Sequence, residues 1–350
     1  MSSHLAYNTT HLQIPRQIVS CNSVDLQTEV RWTMFVLRDS EVRQLVTIED
    51  GFAACEESYR YYGETRNVLS EPAAAYLLLQ KNPPVKCRYK AAHMSNLGVA
   101  GARLATPGHY YCWVIDIKTG EPIGLVNETW LARRRTATTA AIVSKWLARP
   151  DSKIATLFGA GKIGDEIYAT LTHVFNLDEF RIVARRFENA EAYAKRNEIS
   201  TTAPIQPFKS SEEAINGADI VITMTTASKP FINTDCLKSG ALLCSMGGVP
   251  EVHFDVLAEV DTLVIDDLSY ALAQGDLHEW IKNGNITEKQ VLERIDADIG
   301  EIAIGAKPGR RHANELILAM IQGMAVGDLA MAKLALDKAA TVGMGEFVKI

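Results

Sequence analysis

The sequence predicts an α/β fold, a doubly wound parallel sheet inserted into a second domain of α+β character. Three observations carry this. From Lys153 onward, short apolar runs alternate with helical stretches, the pattern of a parallel sheet with crossover helices. In that region "TLFGAGKIGDEIYATL", residues 156–171, places Gly159, Gly161 and Gly164 as G-x-G-x-x-G between a strand and a helix. Residues 34–147 instead mix helices with hairpin-linked strands, and an apolar helical tail closes the chain.

Each element has its own signal. "TIEDGFAACEESYRYYG" starts with the capping pair Thr47 and Asp50, repeats apolar positions at helical spacing, and takes Gly63 as its stop. "VKCRYKAAHM", "GVAGARLAT" and "HYYCWVIDIKTGEPIGLV" read as strands, the last a hairpin turning at Lys118-Thr119-Gly120. "TWLARRRTATTAAIVSKWLA" is a helix ending before Pro150. Then come the strand "KIATLFG", the helix "KIGDEIYATLTHVF", the strand "EFRIVAR", the helix "ENAEAYAKRN" and a helical turn at "SSEEAINGA". "DIVITMTT", "ALLCSMG" and "TLVIDDL" supply further buried strands. "ANELILAMIQGMAVGDLAMAKLALDKAA" reads as one long helical stretch interrupted by Gly323, packing back on the first domain. The expected boundaries are an N-terminal extension at 1–33, a substrate-binding and dimerisation domain at 34–148 plus 313–350, and a dinucleotide-binding domain at 149–312. Residues 67–86 and 226–232 are expected as loops that shape the substrate pocket.

Composition narrows the function. The chain has 350 residues, 47% hydrophobic and 22% charged, with a formal net charge of -6. That balance offers no electrostatic attraction to nucleic acid or an anionic membrane. No apolar run is long enough to span a bilayer, and the first 33 residues lack the apolar core of a signal peptide. The six cysteines, at 21, 55, 87, 112, 236 and 244, contain no C-x-x-C, so reduced thiols in a cytoplasm are expected. Eight histidines without ligand spacing predict no metal site.

The glycine turn predicts a dinucleotide. Gly159 permits the tight turn, Gly161 lets the backbone approach a pyrophosphate, and Gly164 lets helix and strand pack closely. The helix N-terminus then presents free N–H groups to the phosphates, with Ala160 inside the turn. About 20 residues on, where an acid would take the ribose 2′-OH of NAD, the chain reads Val183-Ala184-Arg185-Arg186. Two guanidinium groups and no carboxylate favour NADP(H), with NAD(H) as the alternative. Met246 and Gly247, closing "ALLCSMG", complete the candidate cofactor set.

A nicotinamide enzyme acting on a small acid needs cations for the carboxylate and a proton donor or acceptor near the reacting carbon. The first domain offers Arg66, Arg88, Lys90, Arg103 and the run Arg133-Arg134-Arg135. Arg88 and Lys90 fall on one face of their strand. Small residues after Lys90 and around Arg103 leave space for a ligand.

"GARLAT…DIKTGEPIGLVNETWLARRRTATTAAI…GAGKIG…GADIVITMTT", with "GAKPGRR" and "GMAVGDLAMAKLA" near the end, resembles the ornithine cyclodeaminase/mu-crystallin family from about Met34 to Ala340. The resemblance implies a Rossmann domain inserted into a sheet-bearing dimerisation domain, and hydride transfer between nicotinamide and the α-carbon of an amino or imino acid. It implies that Arg66 binds the substrate carboxylate, that Arg135 lies at the cofactor phosphates near the substrate, and that Lys162, Ile163 and Thr225 contact the cofactor, with Ala184 at the ribose. Two departures stand out. The family lysine of "G-x-K" is Arg103 here, and Lys90 on the preceding strand is the inferred amine, because guanidinium is never deprotonated in proteins. Where cyclodeaminases carry an aspartate, this chain reads Gly247-Gly248-Val249-Pro250-Glu251, and Val249 exchanges no proton.

The expectation is a homodimeric oxidoreductase of C–N bonds acting on a small amino, imino or keto acid. Arg66, Lys90 and Arg103 would hold the substrate, and Lys90 would be its catalytic group. A redox-neutral cyclodeaminase or amino-acid lyase, and a crystallin-like NADPH-binding protein without turnover, are the alternatives.

Overall fold

The structure, a computed structural model, describes residues 33–198 and 203–350. The expected extension therefore lies outside the described residues except for Thr33. Strand β1 (Thr33–Leu37) leads into α1 (Asp39–Leu45) and α2 (Ile48–Thr65), then β2 (Ala75–Gln80), β3 (Val85–Met94), β4 (Val99–Thr106), β5 (His109–Asp116) and β6 (Pro122–Asn127). Helix α3 (Leu131–Leu147) crosses to the second domain. There β7 (Ile154–Phe158), α4 (Lys162–Val174), β8 (Glu179–Val183), α5 (Phe187–Asn197), β9 (Ile205–Phe208), α6 (Ser211–Ile215), β10 (Ile220–Thr223) and β11 (Leu242–Ser245) alternate. Next come α7 (Val256–Glu259), β12 (Thr262–Ile265), α8 (Leu268–Ala273), α9 (Gly275–Lys282), α10 (Glu288–Arg294), β13 (Ala297–Asp298), α11 (Ile299–Ala303) and β14 (Ile317–Met320). The chain returns to the first domain through α12 (Ala325–Val342) and β15 (Glu346–Lys349).

The second domain is the doubly wound sheet, in the order β13-β12-β14-β11-β10-β7-β8-β9 with every pairing parallel. The strand order reverses between β7 and β10, which opens a crevice at their carboxyl ends. Strands β10, β11, β12 and β14 are buried along their whole length, as a sheet covered on both faces requires.

The first domain carries the other sheet, in the order β15-β1-β6-β5-β4-β3-β2. Strands β2 to β6 form an antiparallel meander, β1 pairs with β6 in parallel, and β15 pairs with β1 antiparallel. Helix α12 packs on the inner face of this sheet and against α2 and α3. The tail thus returns to the first domain.

Three details depart from the sequence reading. "ELILAM" is not helix: its centre is β14, lying between β11 and β12. The dinucleotide-binding domain therefore runs past residue 312 to Met320. A short, wholly apolar run has no periodicity by which to separate buried strand from buried helix. Gly63 does not stop α2, which continues to Thr65. A Cβ at Gly63 would collide with the carbonyl of Gly300, so this glycine serves the close crossing of α2 over α11. Residues 67–86, expected as loop, contain β2. Among the described residues it is an edge strand exposed along its length, with only β3 beside it.

Candidate functional site

The cofactor side begins at the turn after β7. Gly159 has φ +125°, and a side chain there would run into the carbonyl of Met224, so only glycine makes the turn. A Cβ at Gly164 would lie 2.6 Å from the Gly159 carbonyl oxygen and 3.3 Å from the Tyr193 ring, which shows how tightly α4 sits on its strand. Above Gly161, by contrast, nothing lies within 4 Å of a Cβ position. That open cradle faces the first turn of α4, where the first intrahelical donor is Asp165, leaving the N–H groups of Lys162, Ile163 and Gly164 free of helix partners. The residues present fit a dinucleotide pyrophosphate.

At the end of β8, Ala184 is half-buried and Arg185 and Arg186 are exposed. Neither guanidinium makes a hydrogen bond or ion pair among the described residues. Thr225, Met246 and Gly247 stand at the carboxyl ends of β10 and β11. Glu251, wholly buried, binds these ends together. It accepts hydrogen bonds from the Thr223 hydroxyl (2.7 Å), the Thr225 N–H (2.6 Å) and the Gly247 N–H (2.9 Å). Burial pushes its carboxyl up. Glu251 is thus committed to the scaffold, and Gly247 to Pro250 bring no titratable side chain.

Lys90 enters from the facing domain on β3 and is 2% exposed. Its Nζ donates to the carbonyls of Gly323 (2.5 Å) and Gln322 (3.5 Å) and sits 4.2 Å from the Tyr270 ring centroid. Burial holds its ammonium pKa well below the ordinary lysine value, and the Arg88 guanidinium beside it pushes the same way. Asp266 supports this arrangement from β12. It accepts from the Gly323 and Asp267 N–H groups, and burial pushes its carboxyl up to about 6.

Arg103 requires a correction. It is the cross-strand partner of Lys90, yet its guanidinium is 5% exposed and lies between Glu128 (Nε–Oε1 2.5 Å) and Asp328 (Nη1–Oδ2 3.1 Å), over the Tyr110 ring. It is part of an internal ion-pair network and offers no free cation to a substrate. Arg135 from α3 joins the same network, with Nε 2.5 Å from Asp328 Oδ1 and the rest of its guanidinium against Gly323. Burial pushes the Glu128 carboxyl up to about 7, against the pull of Arg103.

Arg66 sits at the end of α2 with φ +53° and ψ 176°, a conformation that non-glycine residues rarely adopt. Its Nη1 is 2.8 Å from Asp298 Oδ2, and its guanidinium lies 4.9 Å from the Tyr62 ring centroid. It remains half-exposed. The Tyr62 hydroxyl donates to Asp267 (2.7 Å), joining α2 to the end of β12.

The sequence reading passed over Asp328, Glu128, Asp266, Asp298 and Gln274. Two of them carried a signal. Asp328 is a carboxylate in the apolar first turn of a helix, and Asp266 opens an acidic doublet at the carboxyl end of a buried strand. No group of three or more metal-ligating side chains is present among the described residues, nor is any helix there long and apolar enough to cross a membrane.

Known proteins share this arrangement. The ketimine reductase mu-crystallin of Rattus norvegicus is 30% identical over 239 residues, 67% of this chain and 71% of its own. A Delta(1)-pyrroline-2-carboxylate reductase of Bacillus cereus is 28% identical over 239 residues, 67% of this chain and 72% of its own. A solved archaeal alanine dehydrogenase dimer with bound NAD matches with TM-score 0.81 at 25% identity, covering 91% of this chain and 99% of that one. The family model described as ornithine cyclodeaminase/mu-crystallin matches residues 100–342. With the glycine cradle, the buried lysine and the inserted parallel sheet in place, this chain belongs to the ornithine cyclodeaminase/mu-crystallin family.

Proposed function

We propose that the chain reduces a small α-imino acid to the amino acid, or runs the reverse reaction, with Arg66 and Lys90 at the substrate and NADP(H) as the preferred cofactor. The class, a nicotinamide-dependent oxidoreductase of C–N bonds, is that of its reductase and dehydrogenase relatives. One observation carries the reading: a buried amine of depressed pKa, Lys90, faces the domain that holds the open glycine cradle.

The dinucleotide, when bound, supplies the hydride for the C=N carbon. The chain's own residues do the rest. Arg66, held by Asp298 and Tyr62, receives the α-carboxylate on its open side. Lys90 Nζ holds the proton that the imine nitrogen takes up on reduction, and returns to its neutral form afterwards. The Gly323 and Gln322 carbonyls keep that amine in place, so little reorganisation accompanies the step. No acid stands at Val249 to handle a proton at a second amine, which separates this site from cyclodeaminase chemistry.

The preference for NADP(H) rests on the Arg185 and Arg186 guanidinium groups, without partners among the described residues where a 2′-phosphate would lie. The dimer reading rests on the outer face of the first sheet. There Leu69, Ala91, His93, Ala102, Trp113 and Ile115 line an apolar groove, and Trp113 is 49% exposed. A second copy of the chain is the proposed cover.

The test is oxidation of NADPH and NADH by the full chain with α-keto acids, each supplied with ammonia, methylamine or an amino acid. Turnover with a single keto acid and amine class, with NADPH preferred and the preference lost in an Arg185→Ser, Arg186→Ser double variant, is the expected result. Cofactor binding without oxidation by any pair would overturn the reductase reading.

A further inference from the structure

Strand β3 carries three cations on one face, Lys86, Arg88 and Lys90. Among the described residues none of the three has a carboxylate within ion-pair distance. Lys90 is satisfied by backbone carbonyls. Lys86 lies 5.7 Å from the Tyr76 ring centroid at the exposed edge of the sheet. Arg88, between them and half-buried, has one polar side-chain partner among the described residues, the neutral amide of Gln274, at a long 3.5 Å from Nη1 to Oε1.

Gln274 belongs to the other domain, at the junction of α8 and α9. Its Oε1 also accepts from the Tyr76 hydroxyl at 2.8 Å, and its amide lies about 4 Å from where a Cβ on Gly248 would be. Arg88, Tyr76 and Gln274 therefore meet across the interdomain cleft, beside the 247–250 turn at the end of β11. A guanidinium matched to an amide oxygen leaves its charge uncompensated, and a cleft that keeps such a cation without an acid is built for an anion. The position matters as well. Arg88 and Lys90 are two residues apart on a strand, so their Cα atoms are separated by roughly 7 Å along it. That is the scale of a substrate whose reacting carbon is at one end and whose second charge is a few bonds away.

We propose that Arg88, with the Tyr76 hydroxyl and the Gln274 amide beside it, binds a second carboxylate, so that the substrate is a dicarboxylic α-imino acid. This rests on the reductase reading above, with Arg66 and Lys90 taking the α-imino acid end. Tyr76 and Gln274 would turn toward the incoming oxygen atoms, and Arg88 would exchange its long amide contact for a charge-assisted pair.

The experiment compares oxaloacetate and 2-oxoglutarate with pyruvate and 2-oxobutyrate, each with ammonia and the better nicotinamide cofactor, in the wild type and in Arg88→Met and Arg88→Lys variants. The wild type should favour a dicarboxylic acid by on the order of 10- to 100-fold in kcat/KM, the size of one charge-assisted contact. Arg88→Met should bring that ratio close to one, chiefly through KM, and Arg88→Lys should restore part of it. In parallel, melting of the oxidised-cofactor complex is followed with succinate and with propionate. Succinate should raise Tm in the wild type and not in Arg88→Met, and propionate should do so in neither. Equal kcat/KM for the two acid classes, or a loss in Arg88→Met shared equally between them, would overturn the assignment. Should no keto acid be turned over, the reductase reading fails, and the succinate shift decides the second-carboxylate site alone.

Discussion

Lys90 concentrates the residue-scale chemistry. Its amine is surrounded by Arg88, Arg103 and Arg135, which disfavour its charge, and by Asp328 and Asp266, which favour it, but burial is the largest influence. The folded chain therefore binds this proton only at a pH well below 10.5, whereas the unfolded chain binds it from about 10.4 downward. Between the two, the unfolded state carries the extra proton, so the lysine destabilises the fold progressively as pH falls. Replacing it with a methionine of similar length removes this effect. Urea unfolding of Lys90→Met should show an advantage over the wild type that grows as pH falls below about 10, by up to about 1.4 kcal/mol per pH unit. Reductase activity should be lost in the same protein. A pH-independent stability difference would show that Lys90 stays charged in the fold throughout this range, and would remove its role as a group that readily gives up its proton. An amine at Lys90 and a guanidinium at Arg103 were readable in the sequence. The fate of Arg103 was not, because Glu128 and Asp328 reach it from 25 and 225 positions away.

At the scale of elements, two glycines of the turn after β7 do different work. Gly164 is a packing contact: a methyl group there meets the Gly159 carbonyl and Leu157. Gly161 borders open space where a phosphate would approach. Gly164→Ala should cost about 1–3 kcal/mol of stability in chemical denaturation, the usual penalty of overpacking. Gly161→Ala should keep the wild-type melting curve without cofactor and weaken NADPH binding in a fluorescence titration. The reverse pattern would remove the cradle. Motif spacing and context separated these roles in advance, since the strand–turn–helix setting was legible. The strand β14 and the role of Gly63 were not, because both depend on neighbours distant in the chain: β11 and β12 in one case, Gly300 in the other.

For the whole molecule, the tail decides the architecture. Strand β14 belongs to the parallel sheet, and five residues later α12 begins on the inner face of the other sheet, so one short linker joins both domains beside Lys90. Asp328 on α12 then draws Arg103 from β4 and Arg135 from α3 into one network. Among the described residues the opposite face of that sheet is apolar and has no cover. Trp113→Asp should shift the full chain from twice the monomer mass to the monomer mass in light scattering, with its helical circular dichroism kept. A wild-type protein that is already monomeric would remove the second copy as the cover.

The sequence by itself determined the Rossmann sheet, the three-glycine turn, the carboxylate-free end of β8 at Ala184-Arg185-Arg186 and the basic strand face, because each is written in neighbouring residues. Only the tertiary structure decided which cations are free. Arg103, Arg135, Arg66 and Arg88 look alike as letters. In the fold, Arg103 and Arg135 share Asp328, Arg66 keeps Asp298, and among the described residues the Arg88 side chain meets only an amide. A charge is available to a substrate only where its partners leave part of it open, as at half-exposed Arg66, and that depends on side chains brought together by β4, α3, α11 and α12 from opposite ends of the chain.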